Sequence, residues 1–328
     1  MYVLGIETSC DETSAAVVES GRRVVSCQIS SSLEFHKRYG GIIPEIASRK
    51  HLETIVYVVE SAFSNSGVKP KQIKGISVTS GPGLVGSLLV GVCFAKALSL
   101  SWGVPLLGVN HLYSHIYSVF LAGKKVSFPF VALIVSGGHT SLFYVKDFDR
   151  IEPIGATADD ACGEAFDKVA KILGLGYPGG PYIEKAACGG NPQEVKFSCG
   201  NTKNPLDFSF SGIKTAVLYR CRAMKSRSRK EIADIAASFQ ETVIESLVDK
   251  ALLACRKKRV KHLVLGGGVV ANGRLREKFN SSALQAGVKV YFPDKKLCMD
   301  NAAMVAGMGY QLFKKGYRSG LDLNAGLN

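Results

Sequence analysis

The feature that most constrains this chain is an internal repeat. Val3 to Val18 reads as an apolar strand (Val3, Leu4, Ile6), a polar turn (Glu7 to Glu12) and a second strand (Thr13 to Val18). Val131 to Val145 runs through the same order around the turn Ser136-Gly-Gly-His139. A second correspondence follows in each half, where Ile76 to Ser87 and His262 to Asn272 both read as strand, glycine turn and helix start. Two elements recurring in order predict two α/β lobes built on one plan. Length agrees, since 328 residues exceed what one core usually organises. We place the first lobe at 1–125, joined by a C-terminal helix within 301–328, and the second at 126–300.

Between the repeats, periodicity predicts helices at Arg49 to Ser64, Ser87 to Trp102, Thr157 to Leu173, Glu231 to Cys255 and Asp300 to Lys314. The third of these carries Asp159, Asp160, Glu164, Asp167 and Lys168. Strands are expected at Val24 to Ser32, Lys74 to Ser80, Val104 to Val109 and Val288 to Phe292. Leu33 to Ser48 has no clean period and reads as a surface excursion or capping helix. Gly174 to Pro181 and residues 188–212 read as loops.

Net charge is +14 and uneven: residues 1–150 carry 14 Lys/Arg against 10 Asp/Glu, and the rest 27 against 17. Lys225-Ser-Arg-Ser-Arg-Lys230 and Arg256-Lys-Lys-Arg-Val-Lys261 concentrate it. Such clusters fit a phosphate-rich partner such as RNA, or solvated helix ends. The nine cysteines are scattered without a Cys-x-x-Cys pair, so neither a disulfide framework nor a thiolate zinc site is indicated, and reduced cytosol is expected. No presequence is expected ahead of the first strand, and no apolar run is expected to reach the eighteen or so residues of a membrane span.

His111 and His115 lie four apart on an expected helix, so their rings project from one face and can share a cation. Two ligands do not make a site; Asp300, at the start of the last helix, is a candidate third. The zinc-protease Glu is absent, its place taken by Leu112. The turns Ser136-Gly137-Gly138-His139, Gly179-Gly180 and Gly266-Gly-Gly268 could each be an ordinary strand-helix corner. Three in one lobe, with Asp167 and Asn272 placed to bond ribose or base, favour a nucleotide, although neither a P-loop nor a Rossmann spacing is present. Asp11 and Glu12, in the first hairpin turn, are either solvated acids or groups that act as base or orient a substrate.

Glu7-Thr-Ser-Cys-Asp-Glu-Thr13, Tyr39-Gly-Gly with Pro44-Glu45 and Ala47-Ser-Arg49, Thr79-Ser-Gly-Pro-Gly-Leu-Val-Gly86, the His111/His115 pair, Val135-Ser-Gly-Gly-His-Thr140, Phe208-Ser-Phe-Ser-Gly212 and Gly266-Gly-Gly-Val-Val-Ala-Asn272 together resemble the TsaD family. These matches span nearly the whole chain in order. The resemblance implies an actin/Hsp70-like, duplicated ribonuclease H-like fold with its active site in a central cleft. It implies one divalent metal ion, iron or zinc, on His111, His115 and Asp300. An adenine nucleotide (threonylcarbamoyl-AMP, ATP or AMP) would lie on Val135, Ser136, Gly137, Gly138, His139, Thr140, Asp167, Gly180 and Asn272, with Glu184 adding a ribose contact. The implied reaction moves threonylcarbamoyl from its adenylate to N6 of adenosine-37 in tRNAs reading ANN codons. Implied partners are tRNA, a shorter actin-like paralogue (TsaB), a small ATPase (TsaE) and an upstream adenylate-forming enzyme (TsaC), with no membrane and a cytoplasmic location. An actin-like ATPase or small-molecule kinase is the rival reading, and a metalloprotease or a scaffold fits the residues less well.

Overall fold

The computed structural model describes residues 1–224 and 228–326. It divides into two compact units, Met1–Lys125 with Pro293–Asn328, and Val126–Phe292. Residues 293–300, expected in the second lobe, therefore belong to the first. Part of the Lys225 to Lys230 cluster, residues 225–227, lies outside the described residues.

The first unit opens with β1 (Tyr2–Glu7), β2 (Glu12–Glu19) and β3 (Arg23–Ser31), followed by α1 (Leu33–Lys37) and α2 (Pro44–Ser66). Then come β4 (Ile73–Gly81), α3 (Val85–Trp102), β5 (Leu106–Asn110) and α4 (His111–Leu121). Its sheet has the order β3-β2-β1-β4-β5, with β1/β2 and β2/β3 antiparallel and β1/β4 and β4/β5 parallel. Helix α2 starts five residues before Arg49, because Pro44 at its first turn has φ preset for a helix and no N–H to leave unpaired.

The second unit holds β6 (Phe130–Val135), β7 (Thr140–Asp147), β8 (Arg150–Ala156), α5 (Cys162–Leu173), α6 (Gly179–Ala187) and α7 (Ser211–Arg222). It continues with α8 (Arg229–Lys258), β9 (His262–Gly266), a 3-10 turn at Gly268–Ala271, α9 (Gly273–Gln285) and β10 (Lys289–Tyr291). Read from β8, its sheet order is β8-β7-β6-β9-β10. Pairings match strand for strand: β6/β7 and β7/β8 antiparallel, β6/β9 and β9/β10 parallel. The repeated hairpin thus seeds the same five-stranded sheet twice. Central β1 and β6 are buried almost throughout, as strands covered on both faces must be. Each Val, Leu or Ile so buried contributes about 1.5–3 kcal/mol.

The chain returns to the first unit with α10 (Ala302–Lys314). Gly5 permits its approach: a Cβ there would lie 2.2 Å from the Ala302 carbonyl oxygen and 2.8 Å from the Ala306 nitrogen. The Ser14 hydroxyl accepts the Ala302 N–H at 2.9 Å, fixing the helix start against β2.

Four expectations about elements fail, the first three for a tertiary reason. Helix α5 begins at Cys162 rather than Thr157, where the Thr140 hydroxyl accepts the Cys162 N–H at 2.9 Å. Asp159 instead accepts the N–H groups of Phe210 (2.7 Å) and Ser211 (3.2 Å), capping α7, a helix the pattern did not disclose. The expected loop at Gly174 to Pro181 gives way to α6 at Gly179, whose N–H is taken by Asp167 at 2.6 Å. Helix α3, finally, is long and apolar enough by length and composition to cross a membrane, contrary to the expectation that no run would be. One face of it (Ser87, Leu88, Gly91, Val92, Ala95, Ser99) is buried in the unit, as in a core helix, so the feature is weak evidence for a span.

Candidate active site

In the first unit, β5 runs directly into α4. The Asn110 side chain accepts the N–H groups of Leu112 (2.9 Å) and Tyr113 (3.2 Å), an N-cap that starts the helix at His111. One turn later stands His115, and the two rings meet edge to face at 4.7 Å between centroids. Asp300 arrives from the other side of the sequence, immediately ahead of Asn301, whose side chain caps α10 through the Met304 N–H at 3.0 Å. Both histidines turn Nε2 to the same carboxylate oxygen: His115 Nε2 lies 3.0 Å and His111 Nε2 3.5 Å from Asp300 Oδ1.

Those separations are what ligands about 2.1 Å from one shared ion subtend, and two imidazoles with a carboxylate suit zinc or iron. His115 Nδ1 is buried without a hydrogen-bond partner among the described residues, so no polar group behind the ring fixes its tautomer. His111 is held differently. Its Nδ1 lies 3.0 Å from Glu7 Oε2 and 3.2 Å from Ser9 Oγ, which leaves Nε2, the nitrogen turned to Asp300, to serve as ligand. A carboxylate behind a ligand histidine fixes its tautomer and raises its basicity. Glu7 is itself saturated, with Oε1 accepting the Ser9 N–H (2.6 Å) and Oε2 the Thr79 hydroxyl (2.6 Å). The three residues therefore fit a divalent cation.

The charges point the same way. Burial opposes the charged form of His111, but Asp300 and Glu7 outweigh it and push its pKa up to about 9. Glu7, although burial works against its charge, is held below the ordinary carboxylate range mainly by His111. Glu12 is pushed up to about 10 by burial and then by Asp11 and Asp300. The structure thus brings Glu12, the first residue of β2, into the electrostatic reach of both Asp11 and Asp300. A bound cation would relieve that crowding.

Sequence reasoning missed Glu7, Ser9 and Thr79 as the support of His111. The available signal was Glu7 itself, a carboxylate closing an otherwise apolar strand.

In the second unit, the expected nucleotide residues cluster where β6 and β9 end, side by side and parallel, with Ile134 opposite Gly266. Ligands of open α/β sheets bind beyond such carboxyl ends. The turn after β6 is closed by Ser136 N–H to the His139 carbonyl (2.8 Å) and His139 N–H to the Ser136 hydroxyl (3.1 Å). Val135 is fully buried at its base, while Gly137 and Gly138 are exposed, with open space where a side chain would be. Gly180 at the start of α6 is equally open. Gly267 has φ +95°, and a Cβ there would fall 2.3 Å from the Val135 carbonyl oxygen, so only glycine allows the two strand ends this approach.

Several polar side chains expected to face a ligand also hold the protein together. Thr140 caps α5, Asp167 takes the Gly179 N–H, and Glu184 Oε1 accepts the Gly273 N–H at 2.7 Å. Asn272 caps α9 through the Leu275 N–H (2.9 Å) and donates Nδ2–H to Gln240 Oε1 (2.8 Å). The backbone of Gly137, Gly138 and Gly180 is thus the open part of this cluster, and the polar side chains fix its shape.

Comparison with known proteins covers almost the whole chain. A family model described as TsaD, tRNA N6-adenosine threonylcarbamoyltransferase, matches residues 23–307. A protein of Symbiobacterium thermophilum named tRNA N6-adenosine threonylcarbamoyltransferase is 50% identical over 323 residues, 98% of this chain and 95% of its own. A protein of Clostridium kluyveri with the same name is 50% identical over 329 residues, 99% of this chain and 96% of its own. Among solved structures, HypF of T. kodakarensis is similar with a TM-score of 0.64 at 16% identity, over 98% of this chain and 49% of that one. Component A of the (R)-2-hydroxyglutaryl-CoA dehydratase of Acidaminococcus fermentans has a TM-score of 0.56 at 15% identity, over 95% of this chain and 98% of that one. At such identities the likeness is one of fold, the actin/Hsp70-like α/β fold that the TsaD resemblance implied.

Proposed function

This chain belongs to the TsaD family of tRNA N6-adenosine threonylcarbamoyltransferases, and from that premise we propose which of its residues perform the transfer. The protein is an acyltransferase that modifies tRNA, placing threonylcarbamoyl on N6 of adenosine to give t6A; the ATPase or kinase alternative is not favoured. The observation that carries the residue assignment is the convergence of His111 and His115 Nε2 on Asp300 Oδ1, with Glu7 behind His111.

His111, His115 and Asp300 would hold one divalent cation, iron or zinc. When bound, the cation supplies polarisation of the carbamoyl carbonyl. The turn Ser136 to Thr140, with Gly180 and the backbone shaped by Asp167, Glu184 and Asn272, would hold the adenine nucleotide, its N–H groups facing phosphate. In the transfer, the adenosine N6 nitrogen bonds to the carbamoyl carbon, the bond from that carbon to the phosphate oxygen breaks, and AMP leaves with the electron pair. The N6 proton goes to Asp11, whose carbonyl is fixed by the Ser32 N–H (3.0 Å) and hydroxyl (2.9 Å). Glu12 beside it orients the amine. An exocyclic adenine amine is a poor nucleophile, so positioning must supply much of the rate.

The same reading assigns partners: tRNA as substrate, a shorter actin-like paralogue (TsaB), a small ATPase (TsaE), and an upstream enzyme (TsaC) making the adenylate. Exposed apolar side chains on α2 (Leu52, Val56, Tyr57) and α3 (Val85, Leu89, Leu100) support a protein partner. The cysteines among the described residues are all free thiols, which supports the cytoplasm.

The test is transfer of labelled threonylcarbamoyl from preformed adenylate to tRNA, with the partners present. Loss in His111→Ala/His115→Ala and in Asp11→Ala is the expected result. Undiminished transfer in Asp11→Ala would remove its role as base, and undiminished transfer in the double variant would remove the metal assignment.

A further inference from the structure

Resting on the transferase reading, we propose that the exposed face of residues 33–50 is a stacking platform for unpaired bases of the tRNA loop that carries the target adenosine. Phe35 and Tyr39 are 49% and 59% exposed on a short segment between β3 and α2. Four basic residues flank them. Arg38 and Arg49 are exposed and have no carboxylate partner among the described residues; Lys37 pairs with Glu34 at 2.5 Å, and Lys50 pairs with Glu53 at 2.6 Å. Lys50 Nζ also lies 4.3 Å over the Phe35 ring. Aromatic rings interleaved with cations are what a single-stranded nucleic acid needs, since every base offers a π-face and every nucleotide a phosphate.

The segment is rigid at its base, as a platform must be. His36 is fully buried; its Nδ1 accepts the Ile43 N–H at 3.2 Å, so the proton sits on Nε2, which donates to Ser32 Oγ at 3.1 Å. Ser32 Oγ in turn donates to the Asp11 carbonyl at 2.9 Å. Tyr39 N–H reaches the His36 carbonyl at 3.0 Å. The platform is therefore tied to the turn from which Asp11 projects and in which Ser9 supports His111.

The reaction itself demands such a surface. N6 of adenosine is the donor of its Watson–Crick pair, so the base must be unpaired and splayed from its stack before the amine can react. Unstacking costs free energy, which stacking of the neighbouring bases on protein rings offsets.

The experiment measures anisotropy of a fluorescein-labelled anticodon stem-loop RNA against the full chain, alone and with its partner proteins. The same RNA with its loop closed by a complementary strand is the control, and wild-type transfer is assayed in parallel. Tyr39→Ala should weaken open-loop binding about 5- to 100-fold, leave the closed duplex unchanged and leave the melting temperature unchanged, while Tyr39→Phe keeps wild-type affinity. Arg38→Ala should weaken both RNAs alike and lower the salt slope by about one. Equal open-loop affinity of wild type, Phe35→Ala and Tyr39→Ala, or no open-loop binding by wild type, would overturn the platform. So would a Tyr39→Ala defect confined to the mixtures with partners, which would mark a protein interface instead. Absence of wild-type transfer is a different failure, that of the transferase reading.

Discussion

Replacing Glu7 by Gln tests the metal centre where the structure is most explicit. The carboxylate accepts three hydrogen bonds, from Ser9 N–H, the Thr79 hydroxyl and His111 Nδ1–H. An amide keeps the size but offers one acceptor oxygen. If that oxygen stays on the Ser9 N–H, the new NH2 faces His111 Nδ1 and favours the tautomer with its proton on Nε2, the nitrogen turned to Asp300. The ring then presents no lone pair to a cation. Loss of such a supporting group typically costs 10- to 100-fold in metal affinity, about 1.4–2.8 kcal/mol. A charge-assisted bond lost in a fully buried position costs a further ~1.5–3 kcal/mol of stability. The assay is equilibrium competition of Zn2+ between the protein and a chromogenic chelator, with thermal melts of the same samples. Zinc affinity in Glu7→Gln within twofold of wild type, while His115→Ala loses it, would refute the argument that Glu7 sets the tautomer of His111.

Other consequences are as direct. Gly5→Ala places a methyl group against the Ala302 carbonyl, so the start of α10 must move; about 1–3 kcal/mol of stability should be lost, read as a lower melting temperature, together with weaker zinc binding. Asn272→Ala removes the α9 cap and should cost ~0.5–2 kcal/mol in a denaturant melt, and an unchanged midpoint would contradict the capping role. Glu241 is held below the ordinary carboxylate value of 4.5 by Arg274 and Lys278, against the effect of burial. Its stabilisation is complete above pH ~4.5, where the unfolded carboxyl is also ionised, and fades as pH falls through the lower folded value. Melts from pH 7 to 3 should therefore show a shallower acid loss in Glu241→Gln than in wild type.

The sequence by itself determined the architecture. A hairpin pattern that recurs, each time followed by strand, glycine turn and helix, leaves few ways to bury its apolar strands. The two matching sheets are the result. His111 and His115 were legible for the same reason, since the four-residue spacing of a helix is local information. The glycine turns at Ser136 to His139 and Gly266 to Gly268 were legible because turn chemistry is written in adjacent residues.

What only the tertiary structure decided depends on residues far apart in the chain. Glu7 and His111 are brought together by the pairing of β1, β4 and β5, and no periodicity joins them. Residues 293–300 left the second lobe because α10 packs on β1, where Gly5 makes room for it. Asp159 and Asp167 were expected on one helix, Asp167 as a ligand group, yet they start α7 and α6. A buried helix end must satisfy its N–H groups from whatever acceptor the fold delivers, and a linear pattern does not say which that will be.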